Sequence, residues 1–411
     1  MKIEIRNRCP HYDSYRAARV QSLFNAESGQ AFDLDADLAI DDDDWKVGVV
    51  VGPSGSGKTS LGRRILGEEA LWTGGEWPAD APIVDAIAPG GDFNAVTAAL
   101  SAVGLGSVPS WLRPYQVLSN GEKFRAELAR IVAEEPAAVV IDEFTSVVDR
   151  QIAKIGALAF QKAWRRTSGK AVLLSCHYDV LDWLEPDWIF DTSTGVFERA
   201  AAGRRLRRRP PIDLEIRQVD GSYWDRFEPH HYLKLPRMVA CRYFVAFVDG
   251  EPVAHLGIAP RLETGGIRGC RMVIMPEWQG AGVGMKFLNW VMEREVSGQG
   301  QFGDRVKAGY FHTSHPGLCA ALRRDPRWEQ VSAVLHGSSK RKSFQSLKKA
   351  ARAAKARGEK GNVAGKGSKR GEGESSTSER AGYGGHFRAV QGFKYRGEAW
   401  AARKAAEKAQ A

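Results

Sequence analysis

At 411 residues, 43% of them hydrophobic, the chain is long enough for two or three domains with separate cores. Apolar runs such as Val47 to Val51 and Ala137 to Ile141 are strand-length, far short of the roughly 20 residues that cross a bilayer, and the N-terminus lacks the apolar stretch of a secretory signal. No membrane segment and a cytoplasmic location are therefore expected. The five cysteines form no CxxC pair and are odd in number, which argues against a zinc site and a disulfide framework. The net charge of +10 is local: residues 337–411 hold 19 Lys and Arg against six Glu and no Asp, whereas the rest holds 40 basic against 43 acidic residues.

A first domain is expected over 1–202. Trp45 to Val51 reads as a strand, then come Gly52-Pro53-Ser54-Gly55-Ser56-Gly57-Lys58-Thr59-Ser60 and a helical pattern to Leu66. A glycine-rich loop between strand and helix lets backbone amides converge on a phosphate. Lys58 adds a point charge and the Thr59 hydroxyl a ligand for Mg²⁺. A nucleotide, ATP, is the ligand implied. A second apolar run, Ala137 to Ile141, ends in Asp142-Glu143; Asp142 is placed to hold the metal and Glu143 to polarise the attacking water. Between the two, Ser119-Asn120-Gly121-Glu122 opens a helical run, and the expectation is of free amides at a positive dipole end.

Ser119 lies 23 positions before Asp142, and the run Leu118-Ser119-Asn120-Gly121-Glu122 resembles the signature loop of ATP-binding-cassette proteins, from which Asn120 and Glu122 depart. The resemblance extends over residues 24–200: Ser146-Val147-Val148-Asp149 looks like the D-loop, and Val172 to Ser175 with His177 like the last strand and its switch histidine. It implies that His177 meets the terminal phosphate, and that Ser119 to Glu122 complete the site of a second, head-to-tail subunit. The family's glutamine loop has no match, and Asp85 or Asp92 stands in its region. The adenine-stacking aromatic is Phe24 or Phe32. Only 61 positions separate Lys58 from Ser119, which excludes a long coiled-coil insertion, and without a membrane domain a transporter role is disfavoured.

Arg204 to Pro211 is the core of a linker over 203–211, and a second domain is expected over 212–336. Asp249-Gly250 between apolar runs signals a hairpin. Arg271 to Met275 then reads as a strand, Gln279-Gly280-Ala281-Gly282-Val283-Gly284 as a phosphate-gripping loop, and Met285 to Val291 as a helix. The whole run resembles motif A of the GNAT N-acetyltransferases, matched at Gln279, Gly282 and Gly284. That resemblance implies that the loop binds the pyrophosphate of acetyl-CoA and that Met272 and Ile274 flank the pantetheine arm. Ser314, His315 or Tyr310 is open as the acid, and His230, His231 or His312 as the base. A basic low-complexity insertion is expected over 337–385, disordered by composition and able to contact DNA or RNA. A last sheet strand and a helix over Glu398 to Lys408 are expected within 386–411. The fold class expected is a P-loop α/β head followed by an α+β acyltransferase fold. Two functions compete: ATP-switched acyl transfer to a macromolecule, or an ATPase clamp on DNA in which the second domain only binds.

Overall fold

The computed structural model describes residues 1–8, 12–25, 31–41, 44–233, 235–238, 240–261, 265–300, 307–334, 390–398, 401–402 and 406. The insertion expected at 337–385 and most of the expected terminal helix lie outside them. The chain divides into two compact units: Met1–Ile212 with Pro276–Gly282, and Asp213–Met275 with the described residues from Val283 onward.

The first unit opens with an antiparallel pair, β1 (Lys2–Arg8) and β2 (Ala31–Asp37), with α1 (Tyr15–Phe24) between them in sequence. Its main sheet holds β3 (Val47–Val51), β4 (Ala138–Ile141), β5 (Lys170–Ser175), β6 (Trp188–Asp191) and β7 (Val196–Arg199), in the order β4-β5-β3-β6-β7. All pairings are parallel except β6 with β7. The central strand β3 reads Val-Gly-Val-Val-Val and is buried at every position, as a parallel strand covered on both faces must be. After β3 come α2 (Lys58–Leu66), α3 (Ile83–Ala86), α4 (Phe93–Ala102), α5 (Val108–Trp111) and α6 (Asn120–Glu134). Next, α7 (Arg150–Trp164) joins β4 to β5, and α8 (Leu181–Leu184) precedes β6. Leu100, Leu128 and Phe160 pack against Val47 and Val49 on one face, while Ile3, Ile5 and Leu61 pack with Val50 and Val140 on the other. The β3–α2 and β4–α7 loops thus leave the same, C-terminal edge of a parallel sheet, where ligands collect in open α/β folds.

Residues of the 203–211 stretch are held on this unit. The Leu206 amide donates to Pro186 O at 3.0 Å and its side chain joins the core, while Arg205 and Arg207 pair with Glu185 and Glu198.

The second unit is built on one seven-stranded sheet. Its elements are β8 (Glu215–Val219), α9 (Trp224–Phe227), β9 (Arg242–Val248), β10 (Glu251–Arg261), β11 (Gly266–Ile274), α10 (Val283–Val296), β12 (Gly309–Thr313), α11 (Pro316–Arg324), β13 (Trp328–Val334) and β14 (Val390–Tyr395). Strand order is β13-β14-β12-β11-β10-β9-β8, and only β11 and β12 run parallel. Asp249 and Gly250 join β9 to β10 at φ 51° and 82°, the left-handed pair that a two-residue hairpin turn needs.

Two irregularities shape this sheet. Pairing of β11 with β12 covers Ile267↔Gly309 to Gly269↔Phe311 and then stops, although β11 runs on to Ile274 and β12 to Thr313. A slot therefore opens between them. Facing β10, His255 pairs with Val273 and Gly257 with Cys270, so Arg271 and Met272 oppose Leu256 alone. That is a β-bulge, and Arg271 takes φ 55°, unusual for a residue with a Cβ.

Candidate functional site

Gly55 and Gly57 lie at φ 77° and 79°, and Gly57 is the N-cap of α2, so Gly52–Gly57 wraps a left-handed turn onto a helix N-terminus. A Cβ on Gly55 would meet no described atom within 4 Å. Lys58 Nζ donates to Gly52 O (2.9 Å) and Pro53 O (2.6 Å), which keeps the ammonium over the loop. Ser56 Oγ bonds Pro53 O and Thr192 Oγ1, and Ser60 Oγ accepts from Asn7 of β1. Thr59 Oγ1 donates to Asp142 Oδ2 at 2.7 Å, so two hard oxygens separated by 83 residues meet below the loop. That donor set suits Mg²⁺. Of the two phenylalanines, Phe32 lays its ring against Gly57, whereas Phe24 ends α1 and is 76% exposed.

Glu143 follows Asp142 at φ 48° and Thr145 sits at φ 72°, two non-glycine residues in the left-handed region beside the same edge. The Glu143 amide donates to Asp142 Oδ1 at 2.8 Å. Asp149 caps α7 by accepting from the Gln151 amide. His177 follows β5, and its Nδ1 lies 3.2 Å from Arg150 Nη1. A guanidinium can only donate, so the neutral imidazole carries its proton on Nε2. Partial burial and then the Arg150 charge lower the pKa of His177. Arg150, which also pairs with Asp179, is absent from the sequence expectations. The signal was an arginine in the first turn of a helix, against the dipole.

The signature-like segment corrects one expectation. Ser119 Oγ accepts from the Glu122 amide (3.3 Å) and Glu122 Oε2 accepts from the Ser119 amide (2.9 Å), a complete capping box, so these two amides are not free. A glutamate three residues after a serine makes that box wherever a helix starts. Burial pushes the Glu122 carboxyl up, but hydrogen bonds from Ser110 and Ser119 outweigh it and the net shift is downward, so it is charged. Asn120 and Gly121 form the first turn of α6. Asp92 is likewise engaged, as the N-cap of α4 through the Ala95 amide, while Asp85 is an exposed residue of α3.

In the second unit, Met272 and Ile274 turn toward the start of α10. A Cβ on Gly284 would lie 3.2 Å from Met272 Cε and 3.3 Å from Ile274 Cγ1, so glycine lets this helix start close against β11. Gln279, Gly280, Ala281 and Gly282 belong to the first unit, where Gln279 Oε1 accepts from the Gly106 amide at 2.9 Å, and Gly280 and Gly282 lie at φ 94° and 85°. No described atom lies within 4 Å of where a Cβ on Gly282 would be. A Cβ on Gly280 would lie 2.9 Å from that of Ala159, so the expected phosphate loop is packed against the rest of the first unit at that point rather than bare.

The proton-transfer candidates separate. His315 is the N-cap of α11, its Nδ1 accepting from the Leu318 amide, and Ser314 precedes it. His231 Nδ1 is 2.9 Å from Leu233 O, and His230 ends a short 3₁₀ turn. His312 is half-buried on β12, with a buried Nδ1 unpartnered among the described residues, and Tyr310 stacks beneath Arg261. His255 was missed. It is fully buried among Trp224, Phe227 and Tyr243, and its Nδ1 lies 2.8 Å from the Arg271 carbonyl in the bulge. A carbonyl can only accept, so Nδ1 is protonated and Nε2 is the bare nitrogen; it has no partner among the described residues. The signal lay in the bulge, which needs the register of two strands.

A family model described as "Acetyltransferase (GNAT) family" matches residues 213–301. The chain is 32% identical over 163 residues to the cytochrome c biogenesis ATP-binding export protein CcmA of Rhodospirillum rubrum, a match spanning 32% of this chain and 68% of that protein. It is 31% identical to CcmA of Paramagnetospirillum magneticum, spanning 75% of it, and 32% identical to the zinc import ATP-binding protein ZnuC of Pseudomonas aeruginosa, spanning 55% of it. Among solved structures, cbiO1 from Clostridium perfringens is similar at 15% identity and a TM-score of 0.30, covering 39% of this chain and 76% of that one. No helix among the described residues is long and apolar enough to cross a membrane. The chain belongs to the ATP-binding-cassette ATPases, and it joins that cassette to a GNAT-family acetyltransferase domain.

Proposed function

We propose that the first unit binds and hydrolyses Mg·ATP as a head-to-tail homodimer, and that the second transfers an acyl group from acetyl-CoA to a macromolecular acceptor. The observation carrying the first half is the Thr59–Asp142 hydrogen bond, which brings together two motifs distant in sequence. In this reading Gly52 to Ser60 hold the phosphates, Lys58 balances their charge, and Thr59 and Asp142 ligate Mg²⁺. Glu143 takes the proton of the attacking water and His177 donates from Nε2–H. Bound Mg·ATP supplies the phosphoanhydride. Ser119, Asn120, Gly121, Glu122 and Asp149 face the partner subunit's nucleotide.

For the second half, the support is the parting of β11 from β12, with Met272 and Ile274 of β11 packed against Gly284 at the start of α10. Acetyl-CoA, when bound, supplies an acyl group activated as a thioester. The site must hold it, exclude water and place the acceptor against it.

Glu143→Gln tests the ATPase assignment. The variant is expected to bind ATP normally, to lose about 10²-fold or more in turnover, and to accumulate as an ATP-dependent dimer in light scattering. Turnover at the parent rate would refute Glu143 as the base. Calorimetry with CoA on the full chain tests the second half, and no affinity would overturn it.

A further inference from the structure

We propose that the open sheet face beside the β11–β12 slot is a phosphate-backbone site made by Arg261, Arg268 and Lys394, and that the acyl acceptor it receives is a nucleic acid. This rests on the acyl-transfer reading above.

Register places the residues. Arg268 of β11 pairs with Tyr310 of β12, which pairs with Lys394 of β14, which pairs with Glu329 of β13. Directly opposed residues share a face, so the four side chains form one row across the sheet. Arg261, at the end of β10, brings its guanidinium within 4.6 Å of the Tyr310 ring centre, and the Lys394 ammonium lies 6.0 Å from the same centre. His312, two residues beyond Tyr310 on the same face, has its pKa lowered by burial and next by Arg261 and Arg268, as proximity to both requires.

Three cations around one ring repel one another. The row's single carboxylate, Glu329, is paired with Arg396, and among the described residues none of the three cations has an ion-pair partner. An anion relieves that repulsion. Arg268 is exposed, and Arg261 and Lys394 are partly so.

Position ties the patch to the chemistry. Arg268↔Tyr310 is the next-to-last pair before β11 and β12 part, so the row borders the slot. A polymer fits better than a small anion because the cations continue in sequence. Residues 335–389 hold 14 Lys and Arg against four Glu, and they join Val334 to Val390. Those two residues are register partners, one step from the Gln391↔Thr313 pair at the end of β12 where the slot is open. The most basic stretch of the sequence is thus the connection between β13 and β14. A polymer with one negative charge per roughly 1.7 Å of duplex offers successive charges to such a row of cations.

The test uses the full chain and fluorescein-labelled oligonucleotides of about 30 nucleotides, as single-stranded DNA, duplex DNA and RNA of one sequence, with anisotropy read between roughly 50 and 200 mM salt. The combined variant Arg261→Gln, Arg268→Gln, Lys394→Gln is expected to bind at least about tenfold more weakly at low salt. Its slope of log affinity against log salt should fall by about two to three, with the preferred arm naming the nucleic acid. Parent affinity and slope in every arm would overturn the site. Equal, equally salt-dependent binding of poly-glutamate would overturn the choice of nucleic acid. If the triple variant does not fold, Arg268→Gln alone replaces it, with an expected slope loss of about one. CoA calorimetry on the same samples is read separately. Loss of oligonucleotide binding with CoA affinity kept supports the proposal, and a parent chain without CoA affinity sinks the acyl-transfer reading while the anisotropy still decides the phosphate site.

Discussion

Arg150 shows how one side chain outside every motif sets a motif's chemistry. By donating to His177 Nδ1 it selects the tautomer with Nε2–H outward, and as a positive neighbour it adds to the burial that holds the imidazole below its ordinary pKa. The sign follows: His177 stays neutral to lower pH than a free imidazole, whose ordinary value is about 6.5. In the parent, the acid limb of ATP hydrolysis should therefore lie below pH 6.5. Arg150→Ala removes the charge and the anchor, so the limb should move to higher pH and turnover at pH 8 should fall roughly tenfold. A pH–rate profile decides this, and an unmoved limb would show that Arg150 serves only its ion pair with Asp179. Sequence spacing exposed Lys58, Thr59, Asp142 and Glu143 because each sits in a contiguous strand–loop pattern. It could not expose Arg150, whose partner lies 27 residues away on another loop.

At the scale of elements, the bulge in β11 is the feature that most separates the two units' legibility. Strand β3, the glycine loop and α2 were readable because each is dictated by its own residues: a β-branched run, glycines at left-handed φ, then helical spacing. The hairpin at Asp249-Gly250 was readable for the same reason. A bulge arises only when two strands are laid in register, so the strand expected from Arg271 in fact begins at Gly266, and the irregular residue is Arg271 itself. His255 satisfies the carbonyl that the bulge turns away from the ladder. Burial is the chief cause that lowers its pKa to about 4, below the ordinary 6.5. The folded state thus favours the neutral ring, and the contribution is full above pH 6.5 and lost as pH falls through 4, amounting to about 3 kcal/mol. His255→Phe should cost about 1–3 kcal/mol at pH 7, from the orphaned Arg271 carbonyl, yet flatten the loss of stability between pH 6.5 and 4. Urea unfolding at several pH values checks both, and an unchanged pH slope would remove His255 as its source.

For the whole molecule, the question is whether one chain can complete its own ATP site. Glu122 is charged and bound into a capping box with Ser119, so two amides of the signature-like turn are already engaged within the chain. In a head-to-tail dimer each nucleotide is held by the Lys58 loop of one subunit and the Ser119 turn of the other. Lys58→Ala and Ser119→Arg should each abolish turnover alone, because every site of either homodimer lacks one half. Mixed, the two variants form a heterodimer with one doubly defective site and one whole site, the latter pairing the Ser119→Arg chain's Lys58 loop with the Lys58→Ala chain's Ser119 turn. Random pairing makes half the dimers mixed, each with one working site of two, so the mixture should recover about a quarter of the parent's ATPase rate if the sites act independently. Strict coupling between sites would lower that recovery, though dimerisation of the mixture with ATP would persist in light scattering. A mixture with no more activity than its components, and with no ATP-dependent dimer, would place both halves of the site in a single chain and remove the head-to-tail assembly.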